Sequence, residues 1–248
     1  MRETQAIIER VRRVNAAIQR IELSTDAALA QLEPGHSLFA HILENVNWNP
    51  YLREHWVPVE ITPAKIVIEH NAARVYNPGQ AVSLLSPIGR PIPLRSGASH
   101  LLFIVQDAPP TPLLMLARRV LDQGAAVTMV LGGTATEYPL ELLPPEVEIL
   151  RADTDWAWPE QVDTIAWADQ VIALAPSYAQ IEVYAALWNQ IVQLRNQNVP
   201  DGFVLGMFAQ TLACGSGVCQ ACQIACHGKD KSICTDGPAL DLKQVKLT

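Results

Sequence analysis

The sequence predicts a multidomain chain: an antiparallel β-barrel, then a parallel α/β domain, then a small cysteine-rich domain stapled by metal. Three observations carry this. Residues 1–96 hold short apolar or alternating runs separated by turn signals. Residues 97–208 alternate strand-like and helical segments. All five cysteines fall within 209–248.

In the first zone the strand-like runs are 17–23, 37–42, 57–61, 66–70 and 81–85, and Pro34-Gly35 and Pro78-Gly79 each precede one of them. Repeated short strands with Pro/Gly turns are the pattern of a small antiparallel barrel. For residues 4–32 the Ala, Arg and Glu content also fits an amphipathic helix, and that alternative stays open. In the second zone 100–105 (HLLFIV) is a buried-strand run, and 112–122 has helical spacing that stops at Gly124. Strands follow at 127–131 and 147–150, a helix at 159–168, a strand at 171–175, a long helix at 177–196 and a strand at 203–208. Such alternation implies a parallel sheet covered on both faces. Its ligand crevice lies at the carboxyl ends of the strands, here the segments after Val105 and Leu131.

Composition narrows the function. At 248 residues, 49% hydrophobic and 17% charged, the chain is globular rather than disordered or fibrous. A net charge of −7 argues against nucleic acid as a partner, because phosphate binding needs a basic footprint. The N-terminus has no uninterrupted apolar stretch and reads as mature protein. No run of about 18 uncharged apolar residues predicts a membrane span. The cytoplasm is the expected compartment, where clustered thiols stay reduced and available to a metal.

The tail reads CGSGVCQACQIACHGKDKSIC. Cys214, Cys219 and Cys222 have the spacing C-x4-C-x2-C, and Cys234 follows, which is the plant-type [2Fe–2S] pattern. A short loop must wrap an inorganic core, and Gly215 and Gly217 permit backbone conformations that bring N–H groups near the sulfurs. A zinc knuckle built on Cys219 and Cys222 with Cys226, His227 or Cys234 is the competing reading, but it leaves the x4 spacer and both glycines without a role. Cys226 is the spare thiol. A Rieske centre needs two His ligands, and only His227 is near.

The segments C-G-S-G-V-C-Q-A-C and C-T-D-G-P-A-L-D, with Pro78–Arg90 (PGQAVSLLSPIGR) at the end of the barrel zone, resemble the dihydroorotate dehydrogenase electron-transfer subunit family, within the ferredoxin-reductase superfamily. The order of zones is also similar. The resemblance implies a ferredoxin-reductase-like barrel (1–96), an NAD-binding-like α/β domain (97–208) and a [2Fe–2S] domain (209–248). It implies FAD between barrel and α/β domain, hydride from NADH, and a hetero-oligomer in which electrons pass singly to a partner catalytic oxidoreductase subunit.

The nucleotide sites depart from the family pattern. Of the flavin motif R-P-x-S, only Arg53 remains, in Tyr51-Leu52-Arg53-Glu54-His55-Trp56. No Gly-x-Gly-Thr turn follows Ile68. The glycine-rich turn expected after the 100–105 strand is Gln106-Asp107-Ala108-Pro109-Pro110-Thr111-Pro112, rich in proline and carrying a charge; only Gly132-Gly133 survives after the next strand. Trp48 and Trp56 are candidates to stack on a flavin or, more simply, to pack the barrel. Two alternatives therefore stand beside a flavin- and cluster-bearing electron-transfer subunit: a nucleotide-free adaptor or single-cluster relay, and a zinc-stapled binding module.

Overall fold

The computed structural model describes residues 1–24, 26, 29–43, 53–153 and 156–247. Trp48, Tyr51 and Leu52 lie outside the described residues. The first sheet contains β1 (Arg2–Arg13), β2 (Ile18–Ser24), β3 (Ser37–Ile42), β4 (Glu54–Trp56), β5 (Pro58–Ile61), β6 (Lys65–Asn71) and β7 (Ala81–Ile88). Its order is β4-β3-β7-β1-β2-β6-β5, its pairings are antiparallel, and β4 and β6 approach each other so that the sheet nearly closes into a barrel.

The helical alternative for residues 4–32 loses to tertiary pairing. Along β1 Thr4, Ala6 and Ile8 are buried, while their neighbours Glu3, Gln5 and Ile7 face outward. That is the period of a strand. β1 also lies between β2 and β7, so both its edges are hydrogen-bonded, and a pairing of this kind overrides helix propensity. Ile8, Ile21, Leu38, Trp56, Ile68 and Leu84 fill the barrel. Trp56 is 1% exposed, so it packs the barrel core.

The second sheet contains β8 (His100–Gln106), β9 (Ala126–Gly132), β10 (Glu148–Arg151), β11 (Gln170–Leu174) and β12 (Val204–Met207). These run parallel in the order β10-β9-β8-β11-β12. The helices are α1 (Thr111–Asp122), α2 (Gln161–Trp167) and α3 (Gln180–Leu194). Pro112 sits in the first turn of α1, where a missing N–H costs no helical hydrogen bond. The apolar face of α1 (Leu113, Leu114, Leu116, Ala117, Val120) is buried, and the helix packs against both β9 and the barrel strand β5. Core residues of barrel and sheet thereby merge: Val59 and Val67 join Leu101, Phe103 and Leu113 in one cluster.

The tail adds a hairpin, β13 (Gln223–Ile224) with β14 (Lys231–Ser232), a short helix α4 (Ile233–Asp236), and β15 (Ala239–Asp241). β15 pairs antiparallel with β12 and so extends the second sheet. Ile224, Ile233, Leu240 and Val245 are buried in the same cluster as Phe39 of the barrel and Tyr184 of α3. A segment too short to make its own core borrows one from both neighbours. Among the described residues no helix is long and apolar enough to cross a membrane.

Candidate metal centre and cleft

The cysteine loop lies where tail, barrel and second sheet meet. Gly215 has φ +69, a conformation L side chains rarely adopt, and a Cβ there would lie 2.8 Å from Phe39 and 2.9 Å from Ile88. The loop therefore rests directly on the barrel. The end of β7 grips its other side. Gly89 N–H donates to the Cys234 carbonyl (3.0 Å), Arg90 N–H to the Gly237 carbonyl (2.6 Å), and Arg90 Nε to the Thr235 carbonyl (2.7 Å). A Cβ on Gly89 would meet the Gly237 carbonyl oxygen at 2.9 Å, so the close seating of barrel on tail needs a residue without one.

The four thiols singled out by spacing lie in two pairs. Cys214 is a neighbour of Cys219, and Cys222 of Cys234. Backbone donors point at the sulfurs: Gly217 N–H reaches Cys234 Sγ at 3.2 Å, and Cys234 N–H reaches Cys222 Sγ at 3.5 Å. The N–H groups of Cys219 and Ser216 draw the Cys214 thiol down to about 5, while burial and the neighbouring Cys222 push Cys234 up. Among the described residues no group of three or more His, Cys, Asp or Glu forms a single-ion site. A two-iron core takes two thiolates on each iron, so paired sulfurs surrounded by N–H donors have the chemistry of a [2Fe–2S] binding loop. Cys226 is elsewhere: it is 2% exposed, bridges to Val245, and its thiol faces the Ile224 carbonyl and Asp230. His227 is exposed at the surface.

A cleft of about 810 Å³ opens between barrel and second sheet, at the carboxyl ends of β8, β9 and β11. This is the crevice expected of an open parallel sheet. Its barrel wall includes His55 and His70; its sheet wall includes Asp107, Thr134, Ser177 and Tyr178. His55 hydrogen-bonds to Ser37 Oγ at 2.6 Å. A smaller apolar pocket of about 70 Å³ adjoins it, sharing His55, Val57 and Leu174 and reaching Ile88 and Ile233 beside the cysteine loop. Arg53, the residue retained from the flavin motif, stands apart from both linings. Its guanidinium donates to Ser83 and pairs with Glu3 at 2.6 Å, and Glu3 also accepts the Ser83 hydroxyl.

Two features of the cleft escaped the sequence reading. Glu69 on β6 is buried and accepts from Arg20 (3.2 Å), Thr111 Oγ (2.5 Å) and Tyr138 OH (2.8 Å). It thereby ties barrel to second sheet. Its signal was a carboxylate inside an apolar strand, placed opposite Arg20 by the β2–β6 register. The second feature is the use of Gly132 and Gly133, which lie directly under the side chains of Gln106 and Asp107.

The fold and the site define a class: an antiparallel barrel joined to a parallel α/β sheet and closed by a C-terminal cysteine loop with the chemistry of an iron–sulfur binding domain. Residues 209–246 match the family described as the iron–sulfur cluster binding domain of dihydroorotate dehydrogenase B. Over its whole length the chain is homologous to the electron-transfer subunit of dihydroorotate dehydrogenase B (NAD(+)) from Shouchella clausii (strain KSM-K16), at 25% identity covering all of both chains. Among solved structures, an NADH-dependent reduced ferredoxin-NADP oxidoreductase of flavin-based electron bifurcation superposes with TM-score 0.73 at 14% identity, over 98% of this chain and 90% of that one. Phthalate dioxygenase reductase, described as transferring electrons from pyridine nucleotides to [2Fe–2S], superposes with TM-score 0.57 at 15% identity, over 98% and 77%.

Proposed function

We propose that this chain is an electron-transfer subunit of a cytoplasmic oxidoreductase complex, exchanging electrons with a separate catalytic subunit through a [2Fe–2S] cluster held by Cys214, Cys219, Cys222 and Cys234. The carrying observation is the arrangement of the four thiols in two pairs, with backbone N–H groups aimed at the sulfurs and Cys226 turned away. The cluster, when bound, supplies one-electron chemistry. The chain's own residues do the rest. Gly215 and Gly217 set the loop, Phe39 and Ile88 keep water from its inner side, and exposed Cys219 leaves one edge open to a partner. In this reading 1–96 and 97–208 form the scaffold that seats 209–248.

FAD belongs to this reading as a ligand of the cleft, which has room for a flavin ring beside His55 and Tyr178. Arg53 is the group that would meet its phosphates. Its present partner Glu3 is on the surface, and an exposed ion pair gives way to a stronger anion at small cost. A second reading, a cluster relay without nucleotide, is favoured by the absence of Arg53 from the cleft lining.

Anaerobic purification followed by a visible spectrum and assays of iron, zinc, acid-labile sulfide and released flavin separates the readings. Iron and sulfide with flavin support the first, and iron and sulfide alone support the relay. A colourless zinc protein overturns both.

A further inference from the structure

In an open parallel sheet, a dinucleotide is held where its diphosphate meets backbone N–H groups at a turn lined by glycine, close enough for direct hydrogen bonds. In this chain that ground is taken by its own side chains. Asp107 follows β8 in the left-handed region, at φ 47. From there its Oδ1 accepts the Thr134 N–H at 2.9 Å. The same carboxylate occupies the space a Cβ on Gly133 would need, and Gln106 Oε1 occupies that space over Gly132. Gln106 Nε2 donates to Asp107 Oδ2 at 3.1 Å, so the two side chains brace each other. The glycines do permit close approach, but what approaches is the chain itself.

The surroundings act in the same direction. Pro109, Pro110 and Pro112 remove three N–H donors from the turn after β8. Asp107 and Glu137 line this end of the cleft, and among the described residues no Lys or Arg lines it; Glu69, also in the lining, already has Arg20 as its counter-ion. A diphosphate brought to this β8–β9 end loses its water, finds no cation there and meets like charge, whereas Arg53, the cation assigned to the FAD phosphates, stands away from it just before the barrel strand β4.

We propose that Gln106 and Asp107 form an internal plug on the Gly132-Gly133 turn, and that the plug makes the cleft refuse nicotinamide dinucleotides. The proposal deepens the electron-transfer reading, on which it rests: no hydride enters at the β8–β9 end of the cleft.

The test uses the full-length protein, purified anaerobically, with iron and sulfide measured first. NADH and NADPH are titrated in, and nucleotide fluorescence is followed. The wild type is expected to show no saturation up to about 1 mM, a range that corresponds to very weak binding. The double variant Asp107→Gly/Pro109→Gly, which removes the charge and restores a donor, is expected to bind at least about tenfold tighter. Saturation of the wild type at micromolar nucleotide overturns the proposal. So does a double variant that keeps the wild-type circular dichroism and iron content yet binds no better. If that variant fails to fold, Asp107→Gly alone, which suits the left-handed backbone there, empties the space over Gly133 and frees the Thr134 N–H; about threefold tighter binding is expected, and no gain overturns the plug. A preparation without iron and sulfide would instead sink the electron-transfer reading, and the nucleotide titration would still judge the plug.

Discussion

The cysteine loop and the nucleotide cleft are built with the same devices and put them to opposite use. Both rest on glycines at close contacts, and both point backbone N–H groups into the turn. In the cysteine loop the donors reach sulfur atoms, which face one another in pairs and have coordination to offer an incoming metal centre. In the cleft the donor on Thr134 is already satisfied by Asp107, and the room over Gly132 and Gly133 is filled. A binding turn is recognised by what its donors are left to do. One that answers its own hydrogen bonds is finished structure.

The largest effects should come from breaking the cysteine loop. Cys214→Ser is expected to abolish a normal [2Fe–2S] visible spectrum, since it removes a ligand outright, while Cys226→Ser should leave the spectrum nearly intact. The reverse pattern, read by absorbance and by iron and sulfide content, would overturn the ligand assignment and move the site toward the Asp230 side of the tail.

Next comes the brace behind the cleft. Glu69 has a side chain only 3% exposed, and its partner Arg20 is also largely buried. Glu69→Ala leaves that guanidinium, the Thr111 hydroxyl and the Tyr138 hydroxyl without their acceptor, and breaking a buried pair this way costs about 3–5 kcal/mol. Denaturant unfolding is expected to show the loss. The iron and sulfide content of the folded protein should be unchanged, because Glu69 belongs to the cleft and not to the loop. A stability equal to wild type would show that the barrel and second sheet do not rely on this tie.

Gly215→Ala probes the loop's seating on the barrel with a smaller change. The φ of +69 and the Cβ contacts at 2.8 and 2.9 Å oblige Phe39 and Ile88 to shift. Left-handed backbone and overpacking together cost about 2–4 kcal/mol. The expected outcome is a reduced iron content per chain, recovered in part when Phe39→Leu makes room. Full iron content in Gly215→Ala would mean that the loop is seated by the Gly89–Arg90 grip alone.

How far the sequence reaches can be judged from these same residues. The ladder of strands and helices was legible because each has its own hydrophobic period, and 37–42 is the full extent of β3. The cysteine spacing was legible because a metal centre constrains neighbours along the chain. β1 was ambiguous because Ala, Arg and Glu suit a helix until two flanking strands claim its edges. Glu69 and Asp107 were hidden for a different reason. Their partners, Tyr138 and Thr134, are 69 and 27 residues away in sequence, and no local pattern announces a hydrogen bond between such distant segments. The prolines and the charge of Asp107 mark the loop after β8 as altered in the sequence; that Asp107 turns back to fill the ground over Gly133 depends on the fold.

The smallest effect sharpens the comparison by moving to the other end of the same sheet. Asp169, just before β11, accepts from the N–H groups of Ser99 (2.9 Å) and His100 (3.0 Å), as Asp107 does from Thr134 at the carboxyl end. Those donors hold its carboxyl below the ordinary value of 3.8. A carboxyl depressed in the folded state contributes stability above its unfolded pKa and loses it as pH falls through that value and the lower folded one. Asp169→Asn should therefore lower the unfolding midpoint slightly at pH 7, and the gap to wild type should close as the pH falls below 3.8. The change should also be small, because the side chain is 41% exposed and solvent screens it. A gap that persists unchanged in acid would mean that the charge of Asp169 is irrelevant and only its shape counts. In that event the same question would fall on Asp107, where the internal plug assigns the charge a role of its own.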